Sequence, residues 1–199
     1  MRIIGLTGPS GVGKSTMADS AKQMGYFVID CDRTAARVTE NPVLLGRLET
    51  EFGGVLKQDG RLDRAALAAK AFASREATER LNEIVLPVIK EEIFREIEAA
   101  RGKGNELFLL DAPTLFESGL DQACDAVVAV LADRAVRSKR IQNRDGLSGD
   151  ALEKRLKAAQ EDSFYLSRTG HIIYNNGDRE EFQAAAGTML AALSAETAI

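Results

Sequence analysis

A chain of 199 residues with 26 Lys+Arg against 30 Asp+Glu, a formal charge of −4 and 45% hydrophobic residues has the makeup of one large globular domain, or of a domain with an insertion. This composition excludes disorder, collagen and a coiled-coil rod, and two distant cysteines, Cys31 and Cys124, with the single His171 exclude a disulfide framework and a zinc cluster. A reducing, cytoplasmic setting is expected; the acidic balance speaks against nucleic acid as partner, and no apolar run approaches the roughly 18 residues of a membrane span.

In chain order, the β-branched run Arg2 to Thr7 predicts a strand, Gly8-Pro9-Ser10-Gly11 a turn, and Ser15 to Met24 a helix stopped by Gly25. Tyr26-Phe27-Val28-Ile29 predicts a second buried strand that delivers Asp30 and Asp32 at its C-terminal end. From Thr34 to Arg101, Ala, Glu, Arg and Leu dominate, and Leu81, Ile84, Val85, Ile89, Ile93 and Ile97 recur at helical spacing. Gly53-Gly54 and Asp59-Gly60 are turns there, Asp63 is an expected N-cap, and Pro87 is expected to kink or restart a long helix.

The strand pattern returns at Leu107 to Leu110, ending in Asp111, and at Ala126 to Leu131, both uniformly apolar as strands buried on two faces should be. A last strand at Ile172-Ile173-Tyr174 precedes Asn175-Asn176-Gly177 and a helix to about Leu193. About five strands alternating with helices imply an α/β fold, a doubly wound parallel sheet. The expected organisation is a single domain over 1–199, with a helical insertion at about 34–101 and a lid at about 137–160.

Gly8-Pro9-Ser10-Gly11-Val12-Gly13-Lys14-Ser15 satisfies G-x-x-x-x-G-K-[ST] between a predicted strand and a predicted helix, the context a nucleoside triphosphate loop requires. In such a P-loop, backbone N–H groups of Gly11, Val12 and Gly13 turn toward an anionic phosphate at the positive end of a helix dipole. Lys14 supplies a mobile cation, Ser15 a hydroxyl ligand for Mg²⁺, and Thr16 a contact to another phosphate of ATP.

At the C-terminal edge of the expected sheet, Asp30 and Asp32, two apart on one strand, would share a face. Either can take the proton of an attacking hydroxyl, or cap the next helix. Asp111, at the end of the third strand, reads either as a Walker-B carboxylate orienting Mg²⁺ or as a turn residue before Pro113. Ala112 to Phe116 suggests an apolar acceptor wall or plain core. Between Arg134 and Lys157 eight basic residues face three acidic ones, 8 − 3 = +5, and Arg137, Arg140 and Arg144 fall on one helical face. That face suits a clamp on the charge of a transferring phosphoryl group, and the Asp145-Gly146 turn gives the segment the look of a lid.

Together these motifs resemble the dephospho-coenzyme A kinase family over nearly the whole chain. Ile4-Gly5-Leu6-Thr7-Gly8 leads into the loop, and Val28-Ile29-Asp30-Cys31-Asp32 is similar to the family's V-I-D-A-D. Asp59-Gly60-Arg61-Leu62-Asp63-Arg64, Asp111-Ala112-Pro113-Thr114-Leu115-Phe116-Glu117, Arg140 with Arg144-Asp145-Gly146-Leu147-Ser148 and Gln160, and Ile172-Ile173-Tyr174-Asn175-Asn176-Gly177 continue the resemblance. It implies ATP-dependent phosphorylation of the ribose 3′-hydroxyl of dephospho-coenzyme A, with Asp32 as base and Arg140 and Arg144 stabilising the transferred charge. It also implies Asn175 or Asn176 near adenine, and an insertion that holds the acceptor.

The chain departs from the family pattern at Pro9-Ser10, which is similar to a guanylate kinase loop, at Leu86 in place of a histidine before Pro87, at Thr114 and at Thr169-Gly170. These positions bear on acceptor affinity more than on chemistry. A nucleoside monophosphate kinase is the alternative enzyme, although its phosphate acceptor needs an arginine clamp rather than a base for a hydroxyl. A non-catalytic nucleotide switch is the third reading, for which the GTPase N-K-x-D is missing from the sequence. A monomer or weak homo-oligomer acting on a small molecule is expected.

Overall fold

The computed structural model describes residues 1–195. In chain order it comprises β1 (Arg2–Thr7), α1 (Lys14–Gln23), β2 (Phe27–Asp30), α2 (Cys31–Val38), α3 (Pro42–Phe52), α4 (Arg64–Ala71), α5 (Arg75–Arg101), β3 (Leu107–Asp111), β4 (Ala126–Leu131), α6 (Arg134–Asp145), α7 (Gly149–Lys157), α8 (Asp162–Leu166), β5 (His171–Tyr174) and α9 (Arg179–Ala195). These elements form two compact units: Met1–Asp30 with the chain from Ala100 onward, and Cys31–Ala99.

The first unit is built on a five-stranded sheet in the order β2-β3-β1-β4-β5, every neighbouring pair parallel. Ile4 sits opposite Leu109 on one side and Ala126 on the other, which puts β1 at the centre. Ile4, Leu6, Leu109, Val128 and Val130 are buried with Val12, Met17 and Ala21 and with Phe182, Ala186 and Leu190 of α9. Each such aliphatic side chain taken fully out of water is worth roughly 1.5–3 kcal/mol, enough to order the strands despite their shortness. Tyr26 donates from its hydroxyl to the Leu190 carbonyl at 2.9 Å, and burial, the largest influence, raises its pKa. Cys124 is likewise driven by burial up to about 12, so it is a thiol rather than a thiolate at neutral pH.

The second unit is helical with its own core of Val38, Leu44, Leu48 and Val55, against which Leu81, Ile84, Val85 and Ile89 pack. Helices α3 and α4 start on side-chain caps. Asn41 accepts from Val43 N and Leu44 N at 2.9 and 3.4 Å, and Asp63 accepts from Ala65 N and Ala66 N at 3.1 and 3.0 Å. Leu56 and Leu62 form an antiparallel bridge across the expected Asp59-Gly60 turn. The expected turn at Gly53-Gly54 is present too, and the Glu49 carboxylate closes it by accepting from Gly54 N, Val55 N and Leu56 N at 2.6, 2.9 and 3.1 Å.

One expectation fails and another is narrowed. The second strand ends at Asp30, and Asp32 stands in the first turn of α2, so the two carboxylates do not share a strand face. An acidic side chain in a first helical turn meets the positive end of the helix dipole, which favours turning the chain at Cys31 over extending it. Of the two expectations at Pro87, a kink or a restart, the restart is excluded: α5 runs through it from Arg75 to Arg101. Apolar contacts of Ile84, Val85, Val88 and Ile89 with the core hold the backbone on both sides of the lost hydrogen bond.

Candidate active site

The loop between β1 and α1 is shaped by close approach. Gly8 has φ 134°, and a Cβ there would lie 2.2 Å from the Val130 carbonyl oxygen of β4. Gly13, the left-handed N-cap of α1 at φ 95°, would bring a Cβ 2.3 Å from Asn175 Nδ2. Side chains are therefore excluded at both ends of the loop, and its backbone lines the concave side. No acidic residue occupies the first turn of α1, so the helix dipole there is not neutralised from within. Lys14 Nζ donates to the Gly8 carbonyl at 2.8 Å, placing the ammonium across the loop. Ser15 is exposed, Thr16 half-buried, and Val12 is fully buried in the core.

Helix α6 lies along this loop. Arg137, only 8% exposed, donates from Nε to the Ser10 carbonyl at 3.1 Å, and its Nη2 is buried without a hydrogen-bond partner. Burial lowers its pKa, the nearby Asp162 opposing the shift. Arg140 donates from Nη1 to the Asn175 carbonyl at 2.9 Å and from Nη2 to Asn175 Oδ1 at 3.1 Å. Arg144 reaches Ser10 Oγ at 3.3 Å and forks onto Asp145 at 2.7 and 2.9 Å, a pairing that raises the arginine's pKa and lowers the carboxyl's. Gly146, left-handed at φ 68°, ends the helix. The three arginines of one helical face thus meet one loop and its Asn175 neighbour.

Asp111 ends β3, in register with Leu6 on one side and Asp30 on the other, and its Oδ1 is buried. The adjacent turn is fixed by Thr7 Oγ1, which donates to the Pro113 carbonyl at 3.2 Å. Among the described residues no group of three or more His, Cys, Asp or Glu could hold a metal by itself. The available donors, a serine hydroxyl and strand-end carboxylates, are hard oxygens of the kind that bind Mg²⁺ jointly with phosphates and water. Asp32, exposed in α2, belongs to the helical unit.

Other residues take roles the sequence does not disclose. Ala112 and Leu115 are buried core, and Phe116 stacks edge-on to Phe164 with centroids 5.9 Å apart, so these three are packing rather than an acceptor wall. Gln160 donates to Glu117 Oε1 at 3.3 Å. Asn175 is 5% exposed and gives its Nδ2 to the Val12 carbonyl at 2.7 Å, so with Arg140 on Oδ1 both ends of its amide are taken by protein. Asn176 Oδ1 accepts from Asp133 N at 2.8 Å. Ser10, at a variable position of the motif, is the acceptor for Arg137 and Arg144, and only its polarity marks it in the sequence.

The family model described as dephospho-CoA kinase (CoaE) matches residues 2–181, a span that includes the loop, both strand-end aspartates, Asp32, the arginine face and Asn175. The chain belongs to the dephospho-CoA kinase family. The dephospho-CoA kinase of Corynebacterium glutamicum is 40% identical over 190 residues, covering 94% of this chain and 95% of the relative. A solved structure from Thermus thermophilus, TT1252, superposes with a TM-score of 0.79 at 34% identity, covering 96% of this chain and 97% of the other. The Campylobacter jejuni dephospho-CoA kinase structure gives 0.70 at 26% identity, with 98% of each chain covered. As a member of a kinase family the protein is an ATP-using phosphotransferase with a P-loop α/β fold. Its substrate is a small molecule, and no described helix is long and apolar enough to cross a membrane.

Proposed function

We propose that the protein transfers the terminal phosphoryl group of ATP to the ribose 3′-hydroxyl of dephospho-coenzyme A, the last step of coenzyme A synthesis. The observation that carries the transfer is the convergence of Arg137 and Arg144 on a loop whose glycines leave no room for side chains, with Arg140 on Asn175 beside it. Family membership supports the acceptor.

In this reading the backbone of Gly11, Val12 and Gly13 and the hydroxyl of Thr16 hold the phosphates at the N-terminus of α1. Lys14 exchanges the Gly8 carbonyl for the β- and γ-phosphates. Asp32 takes the proton of the 3′-hydroxyl as that oxygen attacks. Arg140 and Arg144 neutralise the charge that builds on the transferred group; a guanidinium has five N–H donors, so Arg140 can keep Asn175 and still offer others. Ser15 and Asp111 are the residues that would hold Mg²⁺, which supplies charge neutralisation between the phosphates. The helical unit binds the acceptor, and the segment about 137–160 closes over both substrates. A cytoplasmic protein, monomeric or weakly self-associating and without a nucleic-acid partner, fits the composition and the charge of −4.

The test is ADP release from Mg-ATP with dephospho-coenzyme A, AMP, GMP and CMP as competing acceptors. Turnover with dephospho-coenzyme A alone is expected. Faster turnover with a monophosphate would replace this reading with that of a nucleoside monophosphate kinase whose acceptor changed along with Pro9, Ser10 and Leu86.

A further inference from the structure

We propose that Asn175 is a positioning residue that sets the phosphate loop and Arg140 in one arrangement, and that it makes no contact with the nucleotide base. The side chain of an asparagine offers two N–H donors and one carbonyl acceptor. Here Nδ2 donates to the Val12 carbonyl at 2.7 Å, and Oδ1 receives Arg140 Nη2 at 3.1 Å. The main-chain carbonyl of the same residue receives Arg140 Nη1 at 2.9 Å, and Gly177 O stands 3.5 Å from Nη2. With 5% of its surface exposed, Asn175 has no face left for a purine.

What this bond does to the loop follows from the planarity of the peptide. The Val12 carbonyl and the Gly13 N–H belong to one trans unit and point in opposite directions. Drawing the carbonyl toward Asn175 therefore aims the Gly13 N–H away from it, the orientation a phosphate-facing amide needs. The approach leaves no slack, since a Cβ on Gly13 would stand 2.3 Å from Nδ2. Asn175 is itself held by the sheet, its backbone N donating to the Leu131 carbonyl at 2.8 Å at the end of β4. One residue thus transmits the position of the β4 and β5 strand ends to the last turn of the loop and to a guanidinium on α6. Aspartate could keep the Arg140 contact but would turn an oxygen, not a donor, toward the Val12 carbonyl, so isosteric replacement removes one half of the device.

This inference rests on the reading of the loop as a nucleotide phosphate site, and its test does not need the acceptor. Binding of tripolyphosphate, ATP and GTP to the full chain is measured by calorimetry for the wild type, Asn175→Asp, Arg140→Ala and the double variant. Asn175→Asp should weaken tripolyphosphate and ATP by the same factor, about tenfold or more, and leave the ATP-to-GTP preference unchanged. Arg140→Ala should cost distinctly less in the Asn175→Asp background than in the wild type. Loss confined to ATP with tripolyphosphate binding intact would overturn the proposal in favour of a base contact, and additive losses would overturn the coupling to Arg140. A second measurement keeps Asn175 in place: in Arg140→Ala, hydrogen exchange should rise at residues 11–14 as well as at 175–177, and a rise restricted to 175–177 would count against the proposal. Failure to phosphorylate dephospho-coenzyme A with these results intact would remove the acceptor assignment and leave the role of Asn175 standing.

Discussion

Two glycine turns in this protein gather backbone N–H groups, and they differ in what answers them. In the helical unit, Gly54, Val55 and Leu56 direct their amides onto the carboxylate of Glu49, a residue of the helix just before the turn. Between β1 and α1, residues 8–16 contain no carboxylate, and the charged side chain present is the cation Lys14. A turn that carries its own anion is a finished structural joint, whereas one that carries a cation instead is suited to an anion from outside. The difference lies in one side chain apiece, and it separates a hinge of the scaffold from a binding site.

The largest effects are expected where the incoming anion reacts. Lys14→Ala should abolish both phosphate binding and transfer, while Asp32→Asn should keep ATP binding and lose turnover by on the order of a thousandfold. Steady-state kinetics with ATP binding measured separately distinguishes the two, and normal turnover in Asp32→Asn would falsify the base assignment. Next comes Gly8→Ala, which places a methyl against the Val130 carbonyl at a left-handed φ and should destabilise the fold by about 3 kcal/mol or more, measurable by urea unfolding. In the helical unit the corresponding devices are side chains, and losing one should be milder: Asp63→Ala removes the cap of α4 at a cost of about 1 kcal/mol.

The smallest effect sharpens the contrast between the turns. The backbone amides of Gly54 and Val55, ahead of any opposing desolvation, hold the Glu49 pKa below the usual carboxylate value. A depressed folded-state pKa gives stability that is present above the unfolded value, about 4.3, and is lost as pH falls through the folded one. The thermal midpoint of Glu49→Gln should therefore lie below that of the wild type at pH 7, with the gap closing as the pH is taken below about 4. A gap that stays constant across that range would mean that the charge of Glu49 does nothing for the turn.

Much of this was readable from side-chain chemistry alone. Five strands stood out because residues such as Phe108 to Leu110 and Val127 to Leu131 are apolar without alternation, the mark of parallel strands buried on both faces. The phosphate loop was legible because Gly8, Gly13, Lys14 and Ser15 each answer a separate physical demand at fixed spacing. The place of Asp32 is not legible, because Cys31 fits a buried strand as well as it fits a helix start, and local sequence does not decide between them. Ala112, Leu115 and Phe116 were ambiguous for a related reason: an apolar residue beside a site looks the same whether it faces ligand or core. Asn175 in an Asn-Asn-Gly run reads as turn chemistry, since nothing local indicates that its partner is the carbonyl of Val12.

The strand order has a consequence for how the protein is made. β1 precedes the other described elements along the chain, yet both its neighbours come late: Arg2 pairs with Leu107, and Ile3 N donates to Asp125 Oδ2 at 2.7 Å across 122 residues of sequence. Helix α1 and the four helices of the second unit can form from nearby residues as they emerge, while the central strand waits with both edges unpaired. Gly8 meets Val130 and Gly13 meets Asn175 only after β3 and β4 have been made. The phosphate loop thus takes its shape long after its own residues are made, and a ribosome stalled before β3 would display β1 as an apolar, unpaired strand, a target for chaperones.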